Sequence, residues 1–210
     1  SPVNLADFGT GYLFTVELIK TMKEIESIKF EKNRVSVITK NLFKVIPPKK
    51  TILSGCGGST SFIDVEKLPK IHSDFSISAA AITSALRSVP ESDIQRTTGD
   101  FYTVVLHDSR RIISVAEDIG RHNSIDRIIG YALRNGIFMS QTFVISSGRI
   151  SSEMVRKCLI ANIPIIVSRS ATTTLSIEIA NKTGMTVIGF AREGKLNIYS
   201  HPERIIGEQL

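Results

Sequence analysis

The chain has 210 residues, of which 42% are hydrophobic and 22% are charged, a composition typical of a folded protein of one or two domains. Its two cysteines are too few for a disulfide framework and favour a reducing, cytoplasmic setting. No apolar run reaches the roughly 20 residues that a membrane-spanning helix needs, so no membrane association is expected. The formal net charge of +6 favours a nucleotide or another phosphate-bearing partner. Nucleic acid is not expected, because no basic stripe interleaves with aromatic residues.

The N-terminal part of the chain predicts a small α/β lobe over residues 1–47. Apolar residues recur at three- and four-residue steps over 4–26, which predicts a helix. Alternating residues then predict a hairpin with strands over 28–30 and 35–39. Prolines and glycines break this pattern, so we expect a mobile loop and linker over 48–75, which carries one of the two cysteines.

The remaining residues, 76–210, predict an α/β core. A run of small residues over 76–89 predicts a helix, and alternation over 101–117 predicts a hairpin. Single helices join three apolar strands that follow, a pattern typical of a parallel sheet with right-handed crossovers and helical cover. These three strands are predicted over 143–145, 165–167 and 186–188.

Candidate binding residues follow these three strands. Open parallel sheets bind ligands beyond the carboxyl ends of their strands, and the free N–H groups of the following helices favour anions. Hydroxyl, glycine and basic residues occupy these loops, which predicts a site for a phosphate-bearing ligand, while each loop alone also fits an ordinary helix cap. The candidates are Ser147, Gly148, Arg149, Ser170, Thr172, Phe190, Ala191, Arg192, Glu193, Gly194 and Lys195.

A charged stretch precedes the helix predicted over 123–134. Its candidate binding residues are Glu117, Asp118, Gly120, Arg121, His122 and Asn123. Gly120 permits a turn, Arg121 can grip a phosphate with two N–H groups, and Asp118 can orient His122 or accept from a ring edge of a ligand. The alternative is an internal network in which an acidic residue pairs with Arg121 and Asn123 caps the helix. The sequence leaves both interpretations open.

No zinc site is expected. Zinc deaminases need a histidine or cysteine two residues before a glutamate and a later P-C-x-x-C motif, and no P-C-x-x-C motif occurs in the chain. A serine hydrolase is not supported either, because no G-x-S-x-G turn occurs. Cys158 lies within a predicted helix, where we expect a small core side chain.

Several long segments carry a resemblance to a known family. The segments "AEDIGRHNSIDRIIG", "SSGRISSEMVRK", "IANIPIIVSRSATTTLSIEIA" and "GFAREGKLNIYSHPERI" resemble the FdhD family, the accessory sulfurtransferases that formate dehydrogenases require. The early segment "LADFGTGYLFTVELI" is similar as well, and the abrupt start predicts that an N-terminal portion of the family domain is missing. The resemblance implies a three-layer sandwich similar to the cytidine deaminase fold and a homodimer.

The resemblance also implies a function. Members of this family pass sulfur from a cysteine desulfurase to bis-molybdopterin guanine dinucleotide, the molybdenum cofactor, which is then inserted into formate dehydrogenase. Cys56 corresponds to the cysteine that carries the sulfur as a persulfide, and 190–195 corresponds to the cofactor-binding stretch. Ser59 replaces a second loop cysteine and Phe101 replaces a family histidine. These departures keep two alternatives open, a molybdenum cofactor-binding chaperone without sulfur transfer and a nucleotide-binding regulatory module.

Overall fold

The structure is a computed structural model that describes residues 3–31, 34–40, 65–90, 101–192 and 194–207. The helices in these residues are α1 (Leu5–Thr15), α2 (Ala79–Ser88), α3 (Arg121–Arg134), α4 (Ser152–Ile160) and α5 (Thr174–Thr183). The strands are β1 (Ile25–Glu31), β2 (Arg34–Thr39), β3 (Ile77–Ser78), β4 (Tyr102–His107), β5 (Ile112–Asp118), β6 (Phe143–Ser146), β7 (Ile165–Ser168), β8 (Thr186–Arg192), β9 (Lys195–Ser200) and β10 (Ile205–Ile206).

The central element is a six-stranded sheet with the order β5-β4-β6-β7-β8-β9. Its middle strands β6, β7 and β8 are parallel, and α4 and α5 connect them. The flanking strands β4, β5 and β9 are antiparallel to their neighbours. The parallel strands predicted from the apolar runs are therefore confirmed, and so is the hairpin that precedes them.

Two apolar clusters cover the two faces of this sheet, so the fold has three layers. On one face Val104 and Ile166 pack with the buried sides of α3, α4 and α5. On the other face Val105 and Val167 pack with α2 and the segment before it. Alternate residues of one strand point to opposite faces, which explains why neighbouring valines join different clusters. The mixed α/β class is confirmed, while the similarity to the cytidine deaminase fold stays a prediction.

The N-terminal helix is shorter than the sequence predicts. The prediction of one helix over 4–26 is wrong beyond Thr15, because the chain turns at Glu17, whose φ of 61° is left-handed. Arg156 of α4 donates to the carbonyl of Thr15 at 3.1 Å, so a tertiary contact replaces the next turn of helix. The hairpin that follows, β1 with β2, is confirmed and is longer than predicted. The proposed division into 1–47, 48–75 and 76–210 stays a prediction.

Helix α1 packs directly on α3 at two glycines. A methyl group on Gly11 would lie 1.8 Å from the carbonyl oxygen of Asp126, and one on Gly130 would lie 1.9 Å from that of Asp7. These distances are shorter than any van der Waals contact, so both positions need glycine. The close approach holds the N-terminal helix against the helix that follows the charged stretch.

We expect Gly11→Ala to lower the free energy of unfolding by about 2–3 kcal/mol, because the methyl group must push two helix backbones apart. Gly9→Ala is the matched control, since its methyl would meet Val35 Cγ1, a side-chain atom that can move, at 3.0 Å. The control should change stability by less than about 1 kcal/mol, helped by the helix preference of alanine. Urea unfolding measures both, and equal losses would contradict the packing described.

Candidate functional site

The loops that follow the parallel strands lie side by side at one edge of the sheet. The hydroxyl of Ser168, at the end of β7, donates to the carbonyl of Gly148 after β6 at 2.7 Å. The N–H of Phe190 in β8 donates to the carbonyl of Ser170 at 2.9 Å. Hydrogen bonds therefore tie the three predicted loops into one surface, which we call the strand-end edge: residues 147–149, 168–172, 189–192 and 194–195. Ser147 belongs to it and is bonded to the backbone of Thr103 at 2.9 and 3.0 Å.

The charged stretch is organised around the buried carboxylate of Asp118. Its Oδ1 accepts from the N–H of Gly120 at 2.8 Å and from Nδ2 of Asn123 at 3.1 Å. Its Oδ2 lies 2.8 Å from Nη1 of Arg127. Burial alone would raise the pKa of Asp118, but these hydrogen bonds and the guanidinium of Arg127 hold it below its usual value. Arg127 is itself buried, with only 5% of it exposed.

These contacts favour the internal-network interpretation for two candidates. Asp118 and Asn123 bond to each other and fix the turn at Gly120. Asn123 does not cap the helix as that interpretation predicts, because the N-cap of α3 is Gly120 and no side chain caps it. The basic partner of Asp118 is Arg127, six residues further along α3 than the Arg121 that the sequence suggests. Glu117 is half-buried and accepts from the hydroxyl of Thr103 at 3.4 Å.

His122 joins the start of α3 to the strand-end edge. Its Nε2 lies 3.0 Å from Oγ of Ser151, the residue that precedes α4. Burial, Arg121 and Lys157 lower the pKa of His122 to about 4, against a smaller opposing effect of Glu153, so the imidazole is neutral near pH 7. The hydroxyl of Ser151 bonds to this ring instead of its own helix, whereas α2 and α5 are capped by Ser78 and Thr173.

Helices α1, α3 and α4 share a buried ion pair beneath this site. Lys157 Nζ lies 2.6 and 2.8 Å from the two carboxylate oxygens of Asp126, and Thr15 donates to Asp126 at 2.7 Å. Both charged side chains are at most 5% exposed. Burial raises the pKa of Asp126, while Lys157 and Thr15 oppose that shift. A buried pair of this kind is costly to break, because one charge would stay without its partner.

The candidate residues differ in solvent exposure and in backbone conformation. Phe190 is 44% exposed and has a left-handed φ of 49°, an uncommon conformation for a bulky residue. Ala191 is buried against α2, so only its backbone can contact a ligand. Thr172 Oγ1 is buried, and within the described residues it has no hydrogen-bond partner. The exposed candidates are Arg149, Arg192, Gly194 and Lys195.

Other candidates lie outside the described residues. Cys56, Ser59 and Glu193 belong to this group, so their predicted roles stay predictions. Phe101 is half-buried. Sequence reasoning missed Tyr102 and Ser151, because neither carries a charge and only tertiary contacts bring them to the site.

Across the described ranges, no group of three or more His, Cys, Asp or Glu side chains is placed to hold a metal ion. In the same part of the chain, none of the helices has the length and apolar character needed to cross a bilayer.

Comparisons with known proteins agree with these observations. The model of the FdhD/NarQ family matches residues 1–206. The chain belongs to this family. It is 31% identical to the sulfur carrier protein FdhD of Bacillus subtilis (strain 168), over 98% of this chain and 82% of that protein. It is 33% identical to the protein of the same name from Methanothermobacter thermautotrophicus, over 98% and 83%.

A solved structure extends the similarity to the fold. A crystal structure from Desulfotalea psychrophila, provisionally assigned as a formate dehydrogenase accessory protein, superimposes with a TM-score of 0.78. That protein is 30% identical to this FdhD/NarQ family member, and the match covers 98% of this chain and 81% of that one. The family resemblance recognised from the sequence motifs is confirmed.

The neutral state of His122 predicts a specific acid sensitivity. The folded pKa is about 4 and the ordinary value is 6.5, so between these pH values the unfolded state binds a proton that the folded state does not. The free energy of unfolding should therefore fall as pH falls through this window, and His122→Gln should lose less stability than wild type. Urea unfolding at pH 7 and 4.5 measures this difference. His72→Gln, at an exposed histidine, is the control. If the free energy of unfolding falls equally with pH in wild type and His122→Gln, the lowered pKa of His122 is contradicted.

Proposed function

We propose that this chain is a sulfur carrier required for formate dehydrogenase activity, working in the cytoplasm with a cysteine desulfurase as donor. The acceptor is bis-molybdopterin guanine dinucleotide, which is the substrate of the reaction, and Cys56 carries the sulfur as a persulfide. The observation that carries the proposal is family membership across 98% of the chain, with relatives named as sulfur carrier proteins. We further propose that the protein acts as a homodimer.

The strand-end edge supports the cofactor part of this proposal. A guanine dinucleotide has a diphosphate, which needs hydrogen-bond donors and positive charge. Arg149, Arg192 and Lys195 are exposed at this edge, and the helix starts at Arg121 and Ser152 add N–H groups. The hydroxyl of Thr172 is buried beneath the same surface and has no hydrogen-bond partner among the described residues. These residues fit a dinucleotide by charge and hydrogen-bonding capacity.

The sulfur step needs only one cysteine. The thiolate of Cys56 attacks the outer sulfur of the donor persulfide, a new S–S bond forms on Cys56, and the donor leaves as its thiolate. Cleavage of that S–S bond delivers the outer sulfur to the cofactor as sulfide and returns Cys56 to the thiol, and an external thiol reductant supplies the two electrons that this requires. Ser59 removes the option of an internal disulfide but leaves both transfers available.

The second cysteine is unsuitable as a carrier. Cys158 is completely buried in the apolar layer between the sheet and α4. Burial, with a smaller contribution from Asp126 and against the charge of Lys157, raises the pKa of its thiol to about 12. The reactive form of a cysteine is the thiolate, so Cys158 is inert at neutral pH.

A second candidate function is a cofactor chaperone that binds and delivers the molybdenum cofactor without handling sulfur. Ser59 and Phe101 favour it, since each replaces a residue of the family pattern. The chaperone uses the same strand-end edge but has no role for Cys56. The two candidates therefore differ in one observable, the appearance of sulfur on that residue.

Incubation with a cysteine desulfurase and cysteine, followed by intact mass and peptide mapping, tests the proposal. We expect one added sulfur atom on Cys56 in wild type and in Cys158→Ala, and none in Cys56→Ala. Cys158→Ala is the matched control because it removes the only other thiol. A wild type that stays unmodified but binds GDP, a mimic of the guanine nucleotide end of the cofactor, would favour the chaperone. Sulfur that persists in Cys56→Ala would overturn the assignment of the carrier.

A further inference from the structure

Tyr102, the first residue of β4, connects the charged stretch with the strand-end edge. Its backbone pairs with Asp118 in the antiparallel ladder, and its carbonyl accepts from the hydroxyl of Ser124 in α3 at 3.3 Å. The main chain at Tyr102 is therefore held on both sides. Its side chain is half-buried and reaches across the edge.

The ring of Tyr102 packs on the backbone of Gly148. A methyl group at Gly148 would lie 2.5 Å from Cδ1 and 2.8 Å from Cε1 of the ring, so any larger residue would displace it. Gly148 itself is fixed, because its carbonyl accepts from Ser168 and its N–H donates to Ser146 at 3.2 Å. The ring thus rests on a backbone segment that has little freedom to move.

The same ring contacts the guanidinium group of Arg121. The Cζ atom of Arg121 lies over the ring at 5.9 Å from its centroid, within the range of a cation–π interaction. A free arginine side chain has many rotamers, and stacking on an aromatic face restricts them. Arg121 is the first residue of α3, so this contact links the start of α3, through the ring of Tyr102, to Gly148 of the strand-end edge.

We propose that Tyr102 is a positioning residue that holds Arg121 for the diphosphate of the guanine nucleotide. This inference rests on the proposed function for the identity of the ligand. The aromatic face of Tyr102 makes this contact and its hydroxyl does not. A Tyr102→Phe variant therefore keeps the function, because it presents the same ring to Gly148 and Arg121. Tyr102 does not contact the ligand in this scheme; it acts through Arg121.

The test uses GDP as the probe and isothermal titration calorimetry as the measurement. Tyr102→Phe should bind GDP as wild type does, and Tyr102→Leu should bind about three- to fivefold more weakly, the size expected for an exposed cation–π contact. Tyr131→Leu is the control for the loss of a half-buried tyrosine elsewhere on the molecule, and it should bind as wild type. The double variant Tyr102→Leu/Arg121→Ala should be no weaker than Arg121→Ala alone, because the ring acts only through that arginine.

Unchanged affinity in Tyr102→Leu, or losses that multiply in the double variant, would overturn the inference.

A second readout needs no ligand: the side-chain Nε–Hε NMR resonance of Arg121, assigned by its loss in Arg121→Lys, reports the nearby ring. The chemical shift of this resonance should stay unchanged in Tyr102→Phe and Tyr131→Leu and should change in Tyr102→Leu. The same chemical shift in all three variants would contradict the contact between the ring and Arg121. A wild type that does not bind GDP would instead refute the proposed ligand, and the NMR comparison alone would then decide the role of Tyr102.

Discussion

The carboxylate of Asp118 is the interaction on which the geometry of the site depends. It accepts from the N–H of Gly120 and the amide of Asn123 and pairs with Arg127, so one buried group fixes the end of β5, the turn and the first two turns of α3. The guanidinium of Arg127 also lies over the ring of Phe8, which ties α1 to the same network. A charge this well satisfied is stable inside the protein, whereas removal of either partner would leave the other buried and unpaired.

A second constraint places the N-terminal helix on the same layer. The Asp126–Lys157 pair, the hydroxyl of Thr15 and the glycine contact between α1 and α3 lie beneath the helix starts that face the strand-end edge. His122 is four residues, about one helical turn, before Asp126 on α3, and the charge of Lys157 contributes to its lowered pKa. The polar surface of the site is thus supported by polar groups in the layer below, which explains why so many charged residues crowd one short stretch.

Local sequence patterns predicted most of the fold, because the spacing of apolar residues and the positions of turn residues depend only on residues that are close in the sequence. They gave the three parallel strands, both hairpins and the loops that meet at one edge, since parallel strands bring their carboxyl ends together. They failed where distant residues decide the outcome. Helix α1 ends at Thr15 because α4 takes its carbonyl, and Arg127 is buried because Asp118 faces it. The roles of Tyr102 and Ser151 also depend on tertiary contact. The ligand chemistry and the sulfur carrier came from the family resemblance, which no periodicity contains.

The central claim is that the strand-end edge and the start of α3 form one surface for a guanine nucleotide. Hydrogen–deuterium exchange with and without GDP tests it most directly, because it reads every amide of the described segments at once. The account predicts slower exchange confined to residues 119–123, 147–151, 168–173, 189–192 and 194–195. Protection at the opposite edge of the sheet instead, in residues 135–142 and 161–164, would show that the nucleotide binds elsewhere and would contradict the assignment.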